Sequence, residues 1–318
     1  MIRISAIVPT YNRPIELRTC LEGFAAQTAP RDDFEVLVID DGSAENMELL
    51  VMEFAHSMNI SYRRIDNSGP SVARNLGIDQ AAAPLLLLYE DDLSPRPGMI
   101  EYCLRFHESQ PDESHASLLW FRPAPSIRSE PLIQWAFPRL YPFPAAAGVY
   151  NWIKFWSGTL TCKKSIFRFG RFSEQFRCLE DAELALRLTR RLDLRVHFER
   201  RTLGLYTRPL ALPQVLARSY SMGFYDYRLS RKYPGAYGRD TVCDPERMMV
   251  PAAELPGLMA AAKALAATRP EPGSSAFRML SALWTRADLH AHMDGWRTAR
   301  DGGPCEPPGT LSRFLEAM

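Results

Sequence analysis

The chain has 318 residues, 46% of them hydrophobic, enough to bury a sizeable core in one large or two modest domains. Its 38 Lys and Arg against 37 Asp and Glu leave a net charge of +1, which removes any electrostatic case for a nucleic-acid partner. Six scattered cysteines (Cys20, Cys103, Cys162, Cys178, Cys243, Cys305) form no C-x-x-C pair, which argues against a zinc site or disulfide framework and for a reducing cytoplasm.

The opening "MIRISAIVPTYNR" has no secretory apolar region and runs almost at once into a strand. No window reaches the roughly 18 consecutive apolar residues of a membrane span. The expectation is a soluble cytoplasmic protein, with room for a peripheral contact at the inner face of the membrane.

"ISAIVPTY" reads as a buried strand ended by Pro9. "RPIELRTCLEGFAAQT" then places Ile15, Leu17, Leu21 and Phe24 near a helical period. "FEVLVIDDGS" is a second strand, stopped by Asp40, Asp41 and Gly42, and "AENMELLVMEFAHSM" a second helix. "ISYRRIDN" is a short strand, "GPSVARNLGIDQAA" a loop entering a helix, and "APLLLLYEDD" another buried strand. Apolar strands alternating with helices predict a mostly parallel, doubly wound sheet, which binds ligands beyond the carboxyl ends of its strands. Thr10 to Arg13, Asp40 to Ser43 and Glu90 to Asp92 should converge on that edge.

Residues 111–155, rich in proline and aromatics, read as an ordered loop or small subdomain. "FWSGTLTCKKSIF" predicts a strand and turn, "EDAELALRLTRR" a helix, "LRVHFERRTLGLYT" a strand and "PQVLARSYSMGFYDYRLSRKY" a helix. From about 240 to 318, two or three helices form an extra packing layer or a homodimer contact. The predicted organisation is a ligand-binding half over 1–110, a second half of the same domain over 111–238, and a helical extension over 239–318.

Hard carboxylates such as Glu90, Asp91 and Asp92 suit Mg²⁺ or Mn²⁺, which bind through one or two carboxylates plus substrate phosphates. Alone, such a triplet is often a solvated turn. A second acidic strand end at Asp40 and Asp41 would add charge whose repulsion asks for a cation or a donor-rich ligand. Arg74 and Asn75 stand near a helix start, where phosphate oxygens are favoured; the bland alternative is that Arg74 only caps or pairs with a surface acid. Tyr11 could offer an aromatic face to a flat base. Glu180 and Asp181 open a helix, either as first-turn stabilisers or as a general base.

Taken in order, "AIVPTYNR", "VLVIDDGS", "GPSVARNLGI", "LLLLYEDDLSP", "WSGTLTCKKSIFRFGRFSEQF" and "LEDAELALRL" resemble the family 2 glycosyltransferases of the GT-A fold, over roughly residues 3 to 235. The resemblance implies a metal-dependent, inverting transfer of a sugar from a nucleotide-diphosphate donor, UDP by expectation, to a hydroxyl acceptor, in bacterial polysaccharide or glycoconjugate synthesis. It implies that Pro9, Thr10, Tyr11, Arg13 and Asp40 or Asp41 hold the base and ribose, with Arg74 near the base or diphosphate. The family's Asp-x-Asp motif falls on Glu90, Asp91 and Asp92. Asp92 would bind Mn²⁺ or Mg²⁺, Asp91 and Glu90 would help hold the ribose and sugar, and Asp181, assisted by Glu180, would deprotonate the acceptor. The chain departs from the pattern in three places. The motif begins with Glu90 rather than aspartate, Thr159 follows the glycine of "SGTLT", and no histidine lies between His197 and His290, so that "LYTRP" stands where many members carry one. The alternative is a nucleotide-sugar-binding protein without transfer activity. A nucleotidyltransferase would want a glycine-rich loop after the first strand, and "PTYNRP" has none.

Overall fold

A computed structural model describes residues 1–235 and 255–306, which fall into two compact units. The first comprises Met1–Ala124 and Phe143–Arg208; the second comprises Pro125–Pro142 and the described residues from Pro209 onward.

The first unit is built on a single sheet. Its strands are β1 (Ile4–Thr10), β2 (Phe34–Asp40), β3 (Asn59–Arg64), β4 (Leu85–Tyr89), β5 (Leu93–Pro95), β6 (His115–Pro123), β7 (Gly148–Tyr150), β8 (Thr159–Lys163) and β9 (Arg195–Tyr206). They lie in the order β3-β2-β1-β4-β8-β6-β9-β5, with β7 paired to β9. The β3-β2-β1-β4 half is parallel, β8 runs antiparallel to both β4 and β6, and β6 is parallel to β9. β1, β2 and β4 are almost wholly buried, as strands covered on both faces must be. Helices α1 (Pro14–Ala25), α2 (Glu48–Met52), α3 (Pro70–Gln80), α4 (Met99–Ser109) and α6 (Glu180–Leu188) belong to this unit. Because the chain steps outward from β1 to β3 and then returns to β4 on the other side, the sheet has its switch point between β1 and β4. In doubly wound sheets ligands bind at such a point, past the carboxyl ends of the strands.

Several elements differ from the sequence-based expectation. β1 does not end at Pro9: it continues to Thr10, and Pro9 pairs only with Ile39 of β2, beyond the last β4 partner at Ile7. Its missing N–H is therefore tolerated at the fraying end of a ladder. The second helix shrinks to the five residues of α2. The proline-rich run 111–155 is not a loop but holds β6, α5 (Pro131–Leu140) and β7. Two of its prolines mark element ends, Pro123 closing β6 and Pro131 opening α5, where a missing N–H costs little, while Pro138 lies inside α5. "LSP" directly after the acidic triplet is strand β5, paired with Tyr206–Gly204 of β9.

The second unit is helical. It contains α5, α7 (Leu212–Lys232), α8 (Leu255–Ala267) and α9 (Ser275–Arg300). Its core gathers Trp135, Leu216, Tyr220, Met259, Leu280 and Trp284, with the two tryptophan rings 5.4 Å apart. A Cβ at Gly223 of α7 would stand 1.8 Å from the His292 carbonyl oxygen, so only glycine permits this approach of α7 to α9.

Candidate active site

The ends of β1 and β4 meet across the switch point. Thr10 Oγ1 donates to Asp91 Oδ2 at 2.8 Å, and Arg13 Nη1 donates to Asp91 Oδ1 at 2.8 Å. The same guanidinium nitrogen lies 3.6 Å from Asp92 Oδ2. Burial opposes it, but Asp91 and Asp92 raise the Arg13 pKa above its ordinary value. Asp91 and Asp92 are 2% and 4% exposed, and burial raises both carboxyl pKa values. For Asp92, burial followed by the neighbouring Glu90 and Asp91 pushes the pKa up to about 8. Asp92 Oδ1 is buried without a hydrogen-bond partner.

The end of β2 behaves differently. Asp40 accepts from the Ser43 N–H at 2.9 Å and from the Tyr62 hydroxyl at 2.7 Å. Asp41 accepts from the N–H groups of Ser68 and Gly69, which lead into α3. Both carboxylates are thus engaged by the protein, and they shape the adjoining loops. Tyr11, just past the end of β1, is 47% exposed. Asn12 is in the left-handed region at φ 53°, where its side chain accepts from the Ala44 N–H.

Glu90 lies against the 157–159 turn. Its N–H donates to the Gly158 carbonyl at 2.9 Å, and a Cβ on Gly158 would stand 2.9 Å from both Glu90 Cδ and Oε1. A side chain at 158 would therefore have to displace the end of the Glu90 arm. Glu90 Oε1 is 3.7 Å from Arg74 Nη2. Arg74, 5% exposed on α3, donates from Nη1 to Glu180 Oε1 at 2.7 Å, while its Nε is buried without a partner. The guanidinium therefore spans acids from two elements, joining the end of β4 to the start of α6.

Leu179, immediately before α6, takes a left-handed conformation at φ 59°, ψ 21°. That step costs a non-glycine residue roughly 1–2 kcal/mol. It delivers Glu180 and Asp181 to the site. Asp181 Oδ2 accepts from the Ser157 N–H at 3.2 Å and Oδ1 from the Ala182 N–H at 2.8 Å. The protein crowding its carboxyl, and then the adjacent Glu180 charge, push its pKa up to about 7; Arg74 and the two backbone donors act against that rise. A carboxyl tuned near neutrality is suited to general-base work.

Residues 5–140 match the family model described as Glycosyl transferase family 2. Over those residues the chain is similar to the family 2 glycosyltransferases. Validoxylamine A glucosyltransferase of Streptomyces hygroscopicus subsp. jinggangensis is 28% identical to it over 214 residues, covering 58% of this chain and 51% of that one. The chain spans about half the length, or less, of the curated relatives it matches. Among solved structures, the mannosyltransferase PcManGT from Pyrobaculum calidifontis in complex with GDP-Man and Mn²⁺ superposes with a TM-score of 0.61 at 16% identity, covering 93% of this chain and 87% of that one. S. aureus TarS 1–349 in complex with UDP-GlcNAc gives a TM-score of 0.55 at 15% identity, over 95% of this chain and 93% of the other. The fold of the glycosyltransferase domain is accordingly of the GT-A type.

The sequence-predicted residues of the glycosyltransferase domain come together in two groups. Thr10, Arg13, Asp91 and Asp92 make one; Arg74, Glu90, Glu180 and Asp181 make the other. Asp40 and Asp41 stand apart on their own donors. Unanticipated was Thr207, whose N–H and Oγ1 both donate to the Asp92 carbonyl at 3.1 Å. The next residue, Arg208, brings its Nε within 4.0 Å of Glu16 Oε1. "LYTRP" held that signal, since it stands where a histidine was missed.

Among the described residues no three His, Cys, Asp or Glu side chains converge to hold a metal ion. Asp92 offers a buried carboxylate oxygen without a hydrogen-bond partner. That donor fits a divalent ion that takes one carboxylate and draws its other ligands from substrate phosphates and water. Among the described residues, too, no helix is long and apolar enough to cross a membrane, and the described cysteines are free thiols.

Proposed function

We propose that the protein is a metal-dependent, inverting glycosyltransferase that moves a sugar from a nucleotide-diphosphate donor to a hydroxyl acceptor in bacterial glycoconjugate or polysaccharide synthesis. The observation that carries this reading is Asp181. It is a carboxylate with a pKa near 7, aimed by two backbone donors, at the same site as an acidic strand end with an unsatisfied oxygen. Asp181 takes the proton of the acceptor hydroxyl as that oxygen attacks the anomeric carbon. The new C–O bond forms as the bond from the anomeric carbon to the diphosphate oxygen breaks, and the nucleoside diphosphate leaves with the electron pair. Glu180 stays paired with Arg74, which limits how far its charge opposes the ionisation of Asp181.

On the donor side, exposed Tyr11 is placed to stack on the base, with Pro9, Thr10 and Arg13 lining the same strand end and Asp41 ordering the opposite loop. Glu90 and Asp91 face the ribose and sugar. Asp92 would hold Mn²⁺ or Mg²⁺, which would neutralise charge on the departing diphosphate. UDP and GDP are both candidate carriers, because the similar TarS and PcManGT structures hold UDP-GlcNAc and GDP-Man. Incubation with UDP-, GDP- and dTDP-sugars, with Mn²⁺ and a panel of hydroxyl acceptors, should release nucleoside diphosphate from one donor class. Tight donor binding with neither hydrolysis nor transfer would instead identify a binding protein.

A further inference from the structure

Ser71, Arg74 and Asn75 stand at i, i+3 and i+4 on α3 and so share one face of that helix. All three reach the segment that leads into α6. Ser71 Oγ donates to the Phe176 carbonyl at 3.0 Å, and Asn75 exchanges two hydrogen bonds with the Phe172 backbone, each of 2.9 Å. Between them Arg74 donates from Nη1 to Glu180 at 2.7 Å, with its Cζ 5.7 Å from the centre of the Phe172 ring. Its Nη2 lies 3.7 Å from Glu90, and its Nε is buried. The guanidinium is therefore committed to two acids and withdrawn from solvent. Arg74 is also the fifth residue of α3, past the first turn whose free N–H groups attract phosphate. Burial and then the Glu180 charge push the Asp181 pKa up to about 7, and Arg74 acts against that rise. Other charges near α6 have partners of their own. Glu183 pairs with Arg187 on the same helix. On the short turns Trp152–Lys154 and Lys164–Phe169, which pack against α6, Lys154 lies over the Trp156 ring, Lys164 donates to the Ala81 carbonyl and Arg168 pairs with Glu113.

We propose that Arg74 is a positioning residue for the acceptor chemistry and not a ligand of the donor: it holds the Glu180 carboxylate and balances its charge, leaving Asp181 as the carboxylate that receives the acceptor proton. The proposal rests on the reading of Asp181 as the base. The sequence resemblance implied a place for Arg74 near the base or diphosphate of the donor; its hydrogen bonds place it on the acids instead. Two adjacent carboxylates resist carrying charge together. Arginine stays charged at every working pH, so Glu180 keeps a compensated charge and the second ionisation falls to Asp181. The proton passes from the acceptor hydroxyl to Asp181, and Glu180 neither gains nor loses one. Arg74 acts on that step only through Glu180.

The test reads Asp181 directly. The full chain, carrying ¹³C at its aspartate carboxyls, is titrated by NMR from about pH 5 to about pH 9. The resonance missing from Asp181→Asn is that of Asp181, and its midpoint in the wild type should lie at about 7. Arg74→Gln leaves the Glu180 charge uncompensated and should raise that midpoint by about one pH unit or more. Adding Glu180→Gln to the same chain should bring the midpoint back, because both changes act through one contact. Arg74→Lys keeps the charge without the fork and should fall between wild type and Arg74→Gln. UDP and GDP affinities, by calorimetry with Mn²⁺, should be the same in Arg74→Gln as in the wild type. A midpoint unmoved by Arg74→Gln, or moved and not restored by the second substitution, overturns the assignment. A loss of diphosphate affinity of about tenfold or more overturns it in favour of a donor contact. If Arg74→Gln does not fold, Glu180→Gln alone carries the test: the midpoint should fall, and an unmoved midpoint overturns the proposal. The base reading fails separately, on a near-normal turnover of Asp181→Asn; a large loss there beside an unmoved midpoint overturns the role of Arg74 alone.

Discussion

β2 and β4 both flank β1, and each ends in paired aspartates. At the end of β2, Asp40 is held by Ser43 and Tyr62, and Asp41 by two backbone N–H groups. At the end of β4, Asp91 leans on Thr10 and Arg13, whereas Asp92 keeps one buried oxygen with no partner and a pKa pushed up to about 8. Buried polar atoms are nearly always hydrogen-bonded, so an unmet carboxylate oxygen signals a site completed by something else. At these two strand ends, Asp40 and Asp41 spend their oxygens on the chain's own donors and order the adjoining loops, whereas Asp92 keeps one oxygen unspent.

The division can be broken most sharply at the base. Asp181→Asn should cut turnover by roughly 10²–10⁴-fold, the usual worth of a positioned base, with nucleotide affinity by calorimetry unchanged. Turnover of the wild type should rise with pH up to about 7 and then level, because the base acts only when ionised. A near-normal rate in the variant would return Asp181 to the role of helix stabiliser.

Next in size is Asp92→Ala. The ratio of nucleotide affinity with Mn²⁺ to that without should collapse toward one, whereas Asp40→Asn should leave a clear metal effect. A preserved ratio in Asp92→Ala would remove that carboxylate from metal binding.

Gly158→Ala places a Cβ 2.9 Å from the Glu90 carboxylate and should push that arm aside. Donor KM should rise several-fold, and Glu90→Asp in the same background, being shorter by one methylene, should recover part of the loss. If the double variant is worse than the single, the clash is not with Glu90.

The smallest effects lie in stability, and their signs should oppose. Asp40→Asn disturbs a satisfied buried carboxylate and should cost about 1–3 kcal/mol, seen as a lower melting temperature. Asp92→Asn should raise the melting temperature at pH 8–9. The reason follows from linkage: a carboxyl whose folded pKa lies above its unfolded value of about 3.9 keeps its proton longer in the native state, so stability falls as pH rises from about 4 to about 8. The asparagine variant lacks that slope.

The parallel strands were legible because β1, β2 and β4 are short, apolar runs closed by turn residues, and their shared edge followed from the doubly wound pattern. Strand β5 was hidden by its length of three residues and its proline. α5 is hidden in the sequence because dense proline suggests irregular chain, while Pro131 in fact occupies a helix start. Within the site, "VIDDGS" and "YEDDLS" look alike as strings. What separates them is Tyr62, the Ser68–Gly69 amides and Arg13, none of which is local to the acid it meets. The same holds for Arg74, whose strongest partner, Glu180, lies 106 positions along the chain.

Leu179 carries a consequence for anyone altering this protein. Exchanging it for isoleucine or valine would pass as conservative on volume and polarity. Yet at φ 59° a branched Cβ is a steric outlier, so those two exchanges should misdirect the turn that aims Asp181, whereas asparagine or glycine, far less alike in chemistry, would fit. Similarity at this position is measured along the backbone rather than in the side chain.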